Sequence, residues 1–253
     1  MDIENQNEKI EPALYVVATP IGNLEDITLR AIKTLKSVTL IACEDTRESL
    51  KLLRHFGIEG KALVSYHNFN ERGASERILT HIENGEAAAL ISDAGTPSIS
   101  DPGFILIREA HKRNLRVIPI PGVSAAVAAL SACPIPCNRF TFEGFLPHKK
   151  GRQTRLQLLA GLESAIVFYE SPHRVMRLLE EIDRFFGNRD VMIARELTKK
   201  FEEIRIGKAS ELASAISSKK TLGEFVLIVA GKNDNEMDTS ESLGMKTEED
   251  IDE

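Results

Sequence analysis

The stretch from Ala87 to Gly103 constrains the fold more than any other part of the chain. It opens with a run of small and apolar residues, Ala87–Ile91, which is typical of a strand buried on both faces. The segment that follows, Asp93–Gly103, is rich in Gly, Pro, Asp and Ser, so it must turn sharply while leaving backbone N–H and hydroxyl groups exposed. A helical pattern begins directly after it, at Phe104. This order predicts an open α/β sheet with a ligand at the carboxyl ends of its strands, and an ordinary βα connection is the alternative.

The same order of strand, polar loop and helix occurs throughout the first half of the chain. Besides Ala87–Ile91, the pattern predicts strands at 14–18, 38–42, 62–66 and 116–120. Successive βα units predict a mostly parallel sheet with helices on its faces, so all the loops that follow the strands should lie at one edge. These loops are Thr19–Asn23, Glu44–Arg47, His67–Glu71, Asp93–Gly103 and Pro121–Ser124.

The second half of the chain is organised differently. Pro134 and Pro136 interrupt the pattern, and we place a domain boundary near residue 138. Strand patterns at 191–197 and 201–207 are separated by only a few residues, which indicates an antiparallel pair. We therefore expect two α/β domains with a cofactor cleft between them, the first (13–137) built on a mostly parallel sheet and the second (138–231) on a mixed sheet. The other expected elements of the second domain are strands at 140–146, 165–169 and 224–230 and helices at 152–162, 174–186 and 211–216.

Composition limits the classes of protein that the chain can represent. With 253 residues and 42% hydrophobic content, it is long enough for a large buried core. No apolar run approaches the length of a membrane span, and the polar, acidic start does not resemble a signal peptide, so we expect a cytoplasmic protein without a membrane partner. The three cysteines, Cys43, Cys133 and Cys137, lack the spacing of a zinc site, and we expect them to be reduced and the protein to be metal-free.

The net charge of −6 is unevenly distributed. Residues 232–253 carry a net charge of −7 and residues 1–12 one of −3, which leaves +4 on residues 13–231. Acidic segments of this composition are typical of disordered tails. The body of the chain is therefore compatible with a nucleic-acid partner, although the whole chain is acidic.

The polar loops lack the motifs of nucleotide enzymes. Neither Gly-x-Gly-x-x-Gly nor the phosphate-binding loop of NTPases occurs, which favours a small cofactor held by backbone groups and hydroxyls. Glu44–Arg47 places two acids and a cation at the start of a helix, where N-capping is the simpler explanation. Near Pro172, capping explains Ser171 but not Glu170, His173 or Arg174. His67 by itself is more typical of a surface histidine than of a base.

The densest basic cluster of the chain is His148–Arg152, with Arg155 one helical turn later. It follows Phe145, whose ring could stack on a base while the cations hold phosphates of an RNA strand. A solvated loop explains the same residues equally well.

Eight motifs, in order along the chain, resemble those of the tetrapyrrole methylase superfamily, and in particular its branch of small-subunit ribosomal RNA methyltransferases. The resemblance covers residues from about 14 to 231, and an acidic tail follows it. The motifs are Thr19–Leu24, Glu44–Arg47, Ser92–Pro97, Asp101–Gly103, Pro121–Gly122, Glu143–Pro147, Phe168–Ser171 with His173 and Arg174, and Ala194–Thr198.

This resemblance implies methylation of the ribose 2′-hydroxyl of a decoding-region cytidine in 16S ribosomal RNA of the small ribosomal subunit, with S-adenosylmethionine as cofactor. It also implies a homodimer of two-domain subunits. The superfamily's cofactor loop, typically Gly-Asp-Pro, falls on Gly95-Thr96-Pro97, so its aspartate is a threonine here. The residues that the resemblance assigns to the cofactor are Ala94, Gly95, Thr96, Ile99, Ser124, Ala125 and Tyr169.

Methyl transfer to a ribose hydroxyl requires a base for its proton and benefits from a cation near the developing negative charge. We predict Asp45, Glu170 and Arg47 as catalytic residues. His67 is a further candidate base, and Arg174 and Arg195 are further candidate cations. For the RNA substrate we predict contacts from Lys149, Lys150 and Arg152.

Two other classes of function share these features. A methyltransferase of tetrapyrroles or other small molecules would have the same fold, although the basic cluster argues mildly against it. A ribosome-assembly protein that binds RNA without catalysis would bind it independently of the cofactor.

Overall fold

The computed structural model describes residues 10–217 and 222–233. Most of the two predicted tails, 1–12 and 232–253, falls outside these ranges. Residues 10–12 of the predicted N-terminal tail are described: Ile10 packs against the core of the first sheet, and Glu11 forms an ion pair with Arg116. None of the described helices has the length and apolar character that a membrane crossing requires.

Contacts divide the described residues into two units. The first comprises the residues up to Ala128 together with Glu196–Glu202, and the second comprises 129–195 and 203–233. The division thus falls earlier than residue 138. Nothing in the sequence pattern indicated that Glu196–Glu202, which connects two strands of the second unit, groups with the first.

The first unit contains a five-stranded sheet in the order β3-β2-β4-β1-β5, and all of its strands are parallel. Because parallel strands share one direction, the loops after β1–β5 all leave from the same edge, as the sequence predicts. Its elements are β1 (Leu14–Val17), α1 (Leu29–Ser37), β2 (Leu40–Cys43), α2 (Thr46–His55), β3 (Ala62–Ser65), α3 (Glu71–Glu83), β4 (Ala88–Leu90), α4 (Phe104–Lys112), β5 (Val117–Ile120) and α5 (Ala125–Ser131).

This sheet is buried on both faces. Leu14 and Val16 belong to one apolar cluster and Tyr15 and Val17 to another, since successive side chains of a strand point to opposite faces. Helix caps explain where α1 and α2 begin: the Thr28 side chain accepts a hydrogen bond from the backbone of Ala31, and the Asp45 side chain accepts one from Arg47.

The second unit contains a five-stranded mixed sheet in the order β6-β7-β10-β8-β9. β6 and β7 are parallel, and the remaining neighbours are antiparallel, including the predicted β8–β9 pair. One face packs against helices to form the core of this unit, around Phe168, Leu178 and Leu227. The elements are β6 (Phe140–Phe145), α6 (Arg152–Ala160), β7 (Ala165–Glu170), α7 (Val175–Phe186), β8 (Asp190–Arg195), β9 (Glu203–Lys208), α8 (Ala209–Ser217) and β10 (Phe225–Val229).

The predicted fold class, one parallel and one mixed sheet with flanking helices, is confirmed. Several element ends differ by a few residues for local reasons. β8 ends at Arg195 rather than at residue 197, because Glu196 adopts a φ of 51° that no strand accommodates. α6 ends at Ala160 rather than at residue 162, and the backbone N–H of Gly161 closes its last turn on the carbonyls of Leu158 and Leu159.

Close packing of two loops at the first sheet requires a glycine at position 122. A β-carbon on Gly122 would lie 2.8 Å from Cβ of Ala18, which follows β1. The adjacent strands β1 and β5 are paired along their whole length, so the backbone has little freedom to move away.

We predict that Gly122→Ala lowers the free energy of unfolding by about 1–3 kcal/mol, the usual cost of an overpacked site. The measurement is urea denaturation. Gly73→Ala is the matched control, because Gly73 lies in α3 with no heavy atom close to its β-carbon position. The free energy of unfolding of this variant should rise by up to about 1 kcal/mol, since alanine favours helix more than glycine does. Equal stability of the two variants would contradict this account of Gly122.

Candidate functional site

The loops after β1 and β4 are joined directly at the carboxyl edge of the first sheet. The backbone N–H of Thr19 donates to the carbonyl of Gly95 at 2.8 Å, and that of Gly95 donates to the carbonyl of Thr19 at 3.0 Å. The buried Thr19 hydroxyl also donates to the carbonyl of Ser92 at 3.1 Å. Gly95 has a φ of 81°, a conformation that side chains strongly disfavour, which explains the glycine in the predicted cofactor loop.

The loop after β5 is held against the same segment. The Thr96 hydroxyl donates to the carbonyl of Val123 at 3.0 Å, and Ser124 and Ala125 follow at the start of α5. Four of the predicted cofactor residues, Gly95, Thr96, Ser124 and Ala125, therefore lie on segments that are hydrogen-bonded to each other. Two others, Ala94 and Ile99, are exposed in the loop after β4.

The loop after β4 contains two of the five non-glycine residues with a positive φ that occur among the described residues. Ser98 and Ser100 have φ values of 71° and 67°, in the left-handed region that non-glycine residues seldom occupy. Residues in such conformations cost folding free energy and tend to cluster where a ligand or substrate binds. We call the loops after β1, β2, β4 and β5 the polar edge.

Three carboxyl groups of the polar edge interact with each other. Burial, reinforced by the charges of Glu44 and Asp93, raises the pKa of Asp101 to about 7, and a hydrogen bond from Ser92 opposes this rise. Burial and Asp93 raise the pKa of Glu44, while His67 lowers it. The pKa of Asp93 is also raised, mainly by burial. Carboxyl groups perturbed in this way are typical of functional sites.

Asp45 and Arg47 lie at the same edge but are engaged with each other. The Asp45 carboxylate caps α2 and accepts hydrogen bonds from the Arg47 guanidinium, with Oδ2 2.6 Å from Nη2. These bonds hold the pKa of Asp45 well below its usual range. Asp45 is therefore an ionised carboxylate and a weak base at neutral pH. Its backbone N–H donates to Oδ1 of Asp93 at 3.1 Å, which links the pair to the carboxyl cluster.

The polar edge can bind a small ligand with positive charge. It offers carboxyl groups, hydroxyls and exposed backbone, and the basic residues in the contacts described above are Arg47, which is paired with Asp45, and His67, which interacts with Glu44. Among the described residues, no group of His, Cys, Asp and Glu is arranged to hold a metal ion.

The predicted site residues of the second unit lie at and beyond the end of β7. Tyr169 is half-buried, and its ring contacts those of Phe142 and Phe145 edge to face, with centroids 5.1 and 5.7 Å apart. Phe145 remains about half exposed.

Glu170 lies in a buried network of charges. Its Oε1 is 2.6 Å from Nη2 of Arg174 and accepts the backbone N–H of Ser171, and its Oε2 is 3.7 Å from Nη2 of Arg152. The Arg152 side chain is only 1% exposed. Its guanidinium binds Glu181 and the carbonyl of Pro147.

Burial of Arg152 changes how the basic cluster is interpreted. Its guanidinium binds carboxylates inside the protein and cannot reach an RNA strand, so an RNA-binding surface here depends on other side chains. Lys149 and Lys150, the other two residues predicted to contact RNA, are exposed. Arg174 joins them: Nη1 lies 3.2 Å from Nδ1 of His148, and the guanidinium carbon lies 6.0 Å from the centroid of Phe145.

The two remaining candidates have structural contacts. Arg195 donates to the carbonyl of Leu222 at 2.7 Å and stacks over Phe225. Nδ1 of His67 accepts the backbone N–H of Phe69 at 3.3 Å.

Sequence reasoning identified Asp101 only as part of a motif and not as a candidate base. The signal that could have found it is its place in the loop after β4, where it is the second of two aspartates and is followed directly by Pro102. Burial, which sets its pKa, is not visible in the sequence.

Comparison with known proteins places this geometry in a family. Residues 13–213 match the family model of tetrapyrrole (corrin/porphyrin) methylases. A ribosomal RNA small subunit methyltransferase I from Pseudomonas aeruginosa is 50% identical over 222 residues, which cover 86% of this chain and 78% of that protein. The corresponding protein of Escherichia coli O157:H7 is 46% identical over 229 residues, which cover 89% of this chain and 80% of that protein.

Solved structures share the fold at much lower identity. The cobalt precorrin-4 methyltransferase CbiF has a TM-score of 0.66 at 15% identity, covering 90% of this chain and 98% of its own. Uroporphyrin-III C-methyltransferase from Thermus thermophilus, solved in complex with S-adenosylhomocysteine, has a TM-score of 0.62 at 16% identity and covers 86% of this chain and 97% of its own. The family match and the long alignments at about half identity lead to one conclusion: the chain belongs to the tetrapyrrole methylases, a family of methyltransferases, and within it to the ribosomal RNA small subunit methyltransferase I proteins.

Proposed function

We propose that the chain transfers a methyl group from S-adenosylmethionine to the ribose 2′-hydroxyl of a decoding-region cytidine in 16S ribosomal RNA. The observation that carries this proposal is the identity of about half the residues with small-subunit ribosomal RNA methyltransferases over most of the chain. The RNA would be that of the small ribosomal subunit, which places the protein in the cytoplasm.

The polar edge fits the proposed cofactor. S-adenosylmethionine supplies a methyl group on a positively charged sulfonium, and it also carries an ammonium group, so the carboxyl groups of Glu44 and Asp93 complement its charge. Gly95, with its positive φ, and Thr96 would present backbone and hydroxyl groups to it. The other proposed cofactor residues are Ala94, Ile99, Ser124, Ala125 and, in the second unit, Tyr169.

A base must remove the proton of the ribose hydroxyl when the methyl group is transferred, and of the candidate acids Asp101 suits this role best. Its pKa of about 7 allows it to accept a proton near neutral pH and to release it afterwards. Asp45 is a weaker base, because Arg47 stabilises its charged form. Glu170 is buried between two arginines, which favours a positioning role for it. Asp45 with Arg47, and Glu170, stay in the proposed catalytic set as groups that orient or stabilise.

The RNA would contact the second unit at Lys149 and Lys150. These exposed lysines, with Arg174 held by Glu170, present positive charge beside the half-exposed ring of Phe145. Phosphates bind to such cations, and an unpaired base can stack on the ring.

A homodimer is proposed as well. β9 is an edge strand of the mixed sheet, and its residues Ile204 and Ile206 are exposed; Phe140 of β6, the strand at the opposite edge, is exposed as well. Apolar residues on the outer face and edge of a sheet are typical of an interface with another chain.

The direct test is methyl transfer from tritiated S-adenosylmethionine to purified small ribosomal subunits that lack the modification, followed by nuclease mapping. We expect label on one ribose 2′-oxygen in the decoding region. The control is a subunit that already carries the methyl group, which should take up no label.

Label in a base, in a protein, or in the already methylated control would contradict the proposed reaction. Transfer to a tetrapyrrole instead of RNA would assign the chain to the small-molecule branch of its family. RNA binding without any transfer would favour a ribosome-assembly role.

The assignment of the base predicts a specific kinetic difference. Asp101→Asn should lower kcat by about 100- to 10,000-fold while leaving the affinity for S-adenosylhomocysteine within about threefold. In the wild type, kcat should rise with pH through about 7, as Asp101 loses its proton, and then level off. Asp45→Asn and Glu170→Gln are the comparison variants, and an unchanged pH profile is expected for Asp45→Asn. Asp101→Asn with the wild-type kcat and pH profile would remove Asp101 from the mechanism.

The raised pKa of Asp101 also predicts a pH-dependent stability. The unfolded chain loses this proton near pH 4 and the folded chain near pH 7, so ionisation destabilises the fold increasingly between these values and fully above them. Asp101→Asn should therefore raise Tm at pH 8 by about 2–6 °C and leave Tm unchanged at pH 4. The rise at pH 8 corresponds to about 1–2 kcal/mol in the free energy of unfolding, after a discount for the partial exposure of Asp101. Asp45→Asn, which removes a carboxylate with a lowered pKa, should not raise Tm at either pH. A gain for Asp101→Asn that is equal at both pH values would show that burial of the charge is not its cause.

A further inference from the structure

Besides Phe201, two exposed aromatic rings lie on the first unit beyond the residues assigned above. Phe69, in the loop after β3, is 97% exposed, and Phe104, the first residue of α4, is 63% exposed. Neither ring contributes substantially to the core, so both are accessible to a partner.

The turn that carries Phe69 is held rigidly. Oδ1 of Asn70 accepts the backbone N–H of His67 at 2.9 Å, and its Nδ2 donates to the carbonyl of Ser65 at 2.8 Å. The backbone N–H of Phe69 donates to the His67 ring, whose centroid is 6.1 Å from that of Phe69. The ring is therefore presented to solvent by an ordered turn, which lowers the entropic cost of binding a partner there.

The segments that carry the two rings are fixed to each other. Oε1 of Glu71 is 3.3 Å from the Tyr66 hydroxyl and 3.4 Å from the backbone nitrogen of Gly103. The Tyr66 hydroxyl also accepts the backbone N–H of Leu106 at 3.1 Å, and it is buried. Phe69 lies two residues before Glu71, and Phe104 lies directly after Gly103, so both rings project from one hydrogen-bonded part of the surface.

Arginines accompany the rings. The guanidinium carbon of Arg108 lies 5.4 Å from the centroid of Phe104, and Arg72 follows the Phe69 turn directly. Both arginines line the groove between α3 and α4. Arg113, also in this groove, is bound by Glu76 and Glu83. Arg108 pairs with Glu109 at 3.2 Å but its side chain stays about half exposed, so Arg72 and Arg108 supply the positive charge nearest the rings.

We propose that Phe69, Arg72, Phe104 and Arg108, here called the α3–α4 aromatic surface, bind an unpaired segment of RNA. The rings stack on bases, and the guanidinium groups contact phosphates. Isolated rings next to cations fit this partner better than a protein, whose interfaces bury a contiguous apolar centre. This inference rests on the proposed RNA substrate and adds to it a binding surface on the first unit, separate from Lys149 and Lys150.

The experiment measures binding of a fluorescein-labelled oligocytidylate of about ten nucleotides and of the same strand with abasic sites. Phe69→Ala should weaken binding of the oligocytidylate by about 5- to 100-fold, the size expected for loss of one stacked base, and Phe69→Trp should restore it. Leu158→Ala, which removes a similarly exposed apolar side chain from α6, is the matched control and should bind like the wild type. The abasic strand should bind wild type and Phe69→Ala equally.

Equal affinity of wild type and Phe69→Ala for the oligocytidylate would overturn the proposal. If Phe69→Ala also changed the molar mass measured by light scattering while its RNA affinity stayed the same, the surface would instead be an interface with a second copy of the chain. Methyl transfer to small subunits, measured on the same preparations, separates the two proposals. If the methyl group is transferred and Phe69→Ala binds the oligocytidylate as the wild type does, only the aromatic surface is rejected. If Phe69→Ala weakens binding but no methyl group is transferred, only the proposed reaction is rejected.

Discussion

Parallel pairing of β4, β1 and β5 is the constraint on which the rest of the first unit depends. It brings the carboxyl ends of these strands to one edge, where the two hydrogen bonds between Thr19 and Gly95 join their loops. The Thr96 hydroxyl then attaches the loop after β5. The left-handed backbone of Ser98 and Ser100 costs folding free energy, and the buried β-strands, hydrophobic on both faces, offset that cost.

The second unit depends on a different interaction. A fully buried arginine, Arg152, would be strongly destabilising alone, and it is tolerated because Glu181 and Glu170 neutralise it. Glu170 in turn holds Arg174 at the surface beside Phe145. The buried pairing of Glu170 thus positions a cation where RNA is proposed to bind.

Much of this architecture follows from sequence patterns, because strands, polar loops and helices alternate with clear periodicity. The edge at which Asp93, Gly95 and Ser124 lie was predictable for that reason. Roles that depend on burial were not: Arg152 was predicted at an RNA surface although it is inside the protein. The raised pKa of Asp101 likewise follows from burial, reinforced by the charges of Glu44 and Asp93, which only the fold brings close to it. The grouping of Glu196–Glu202 with the first unit is likewise a tertiary contact without a local signal.

The central claim is that the polar edge of the parallel sheet holds the cofactor. Amide hydrogen–deuterium exchange of the full chain, with and without S-adenosylhomocysteine, tests it most directly. The account predicts slower exchange in Asp93–Gly103 and Pro121–Ala125 when the ligand is present, and no change in α3. Binding of the ligand with protection confined to other segments, or with none at these two loops, would contradict it.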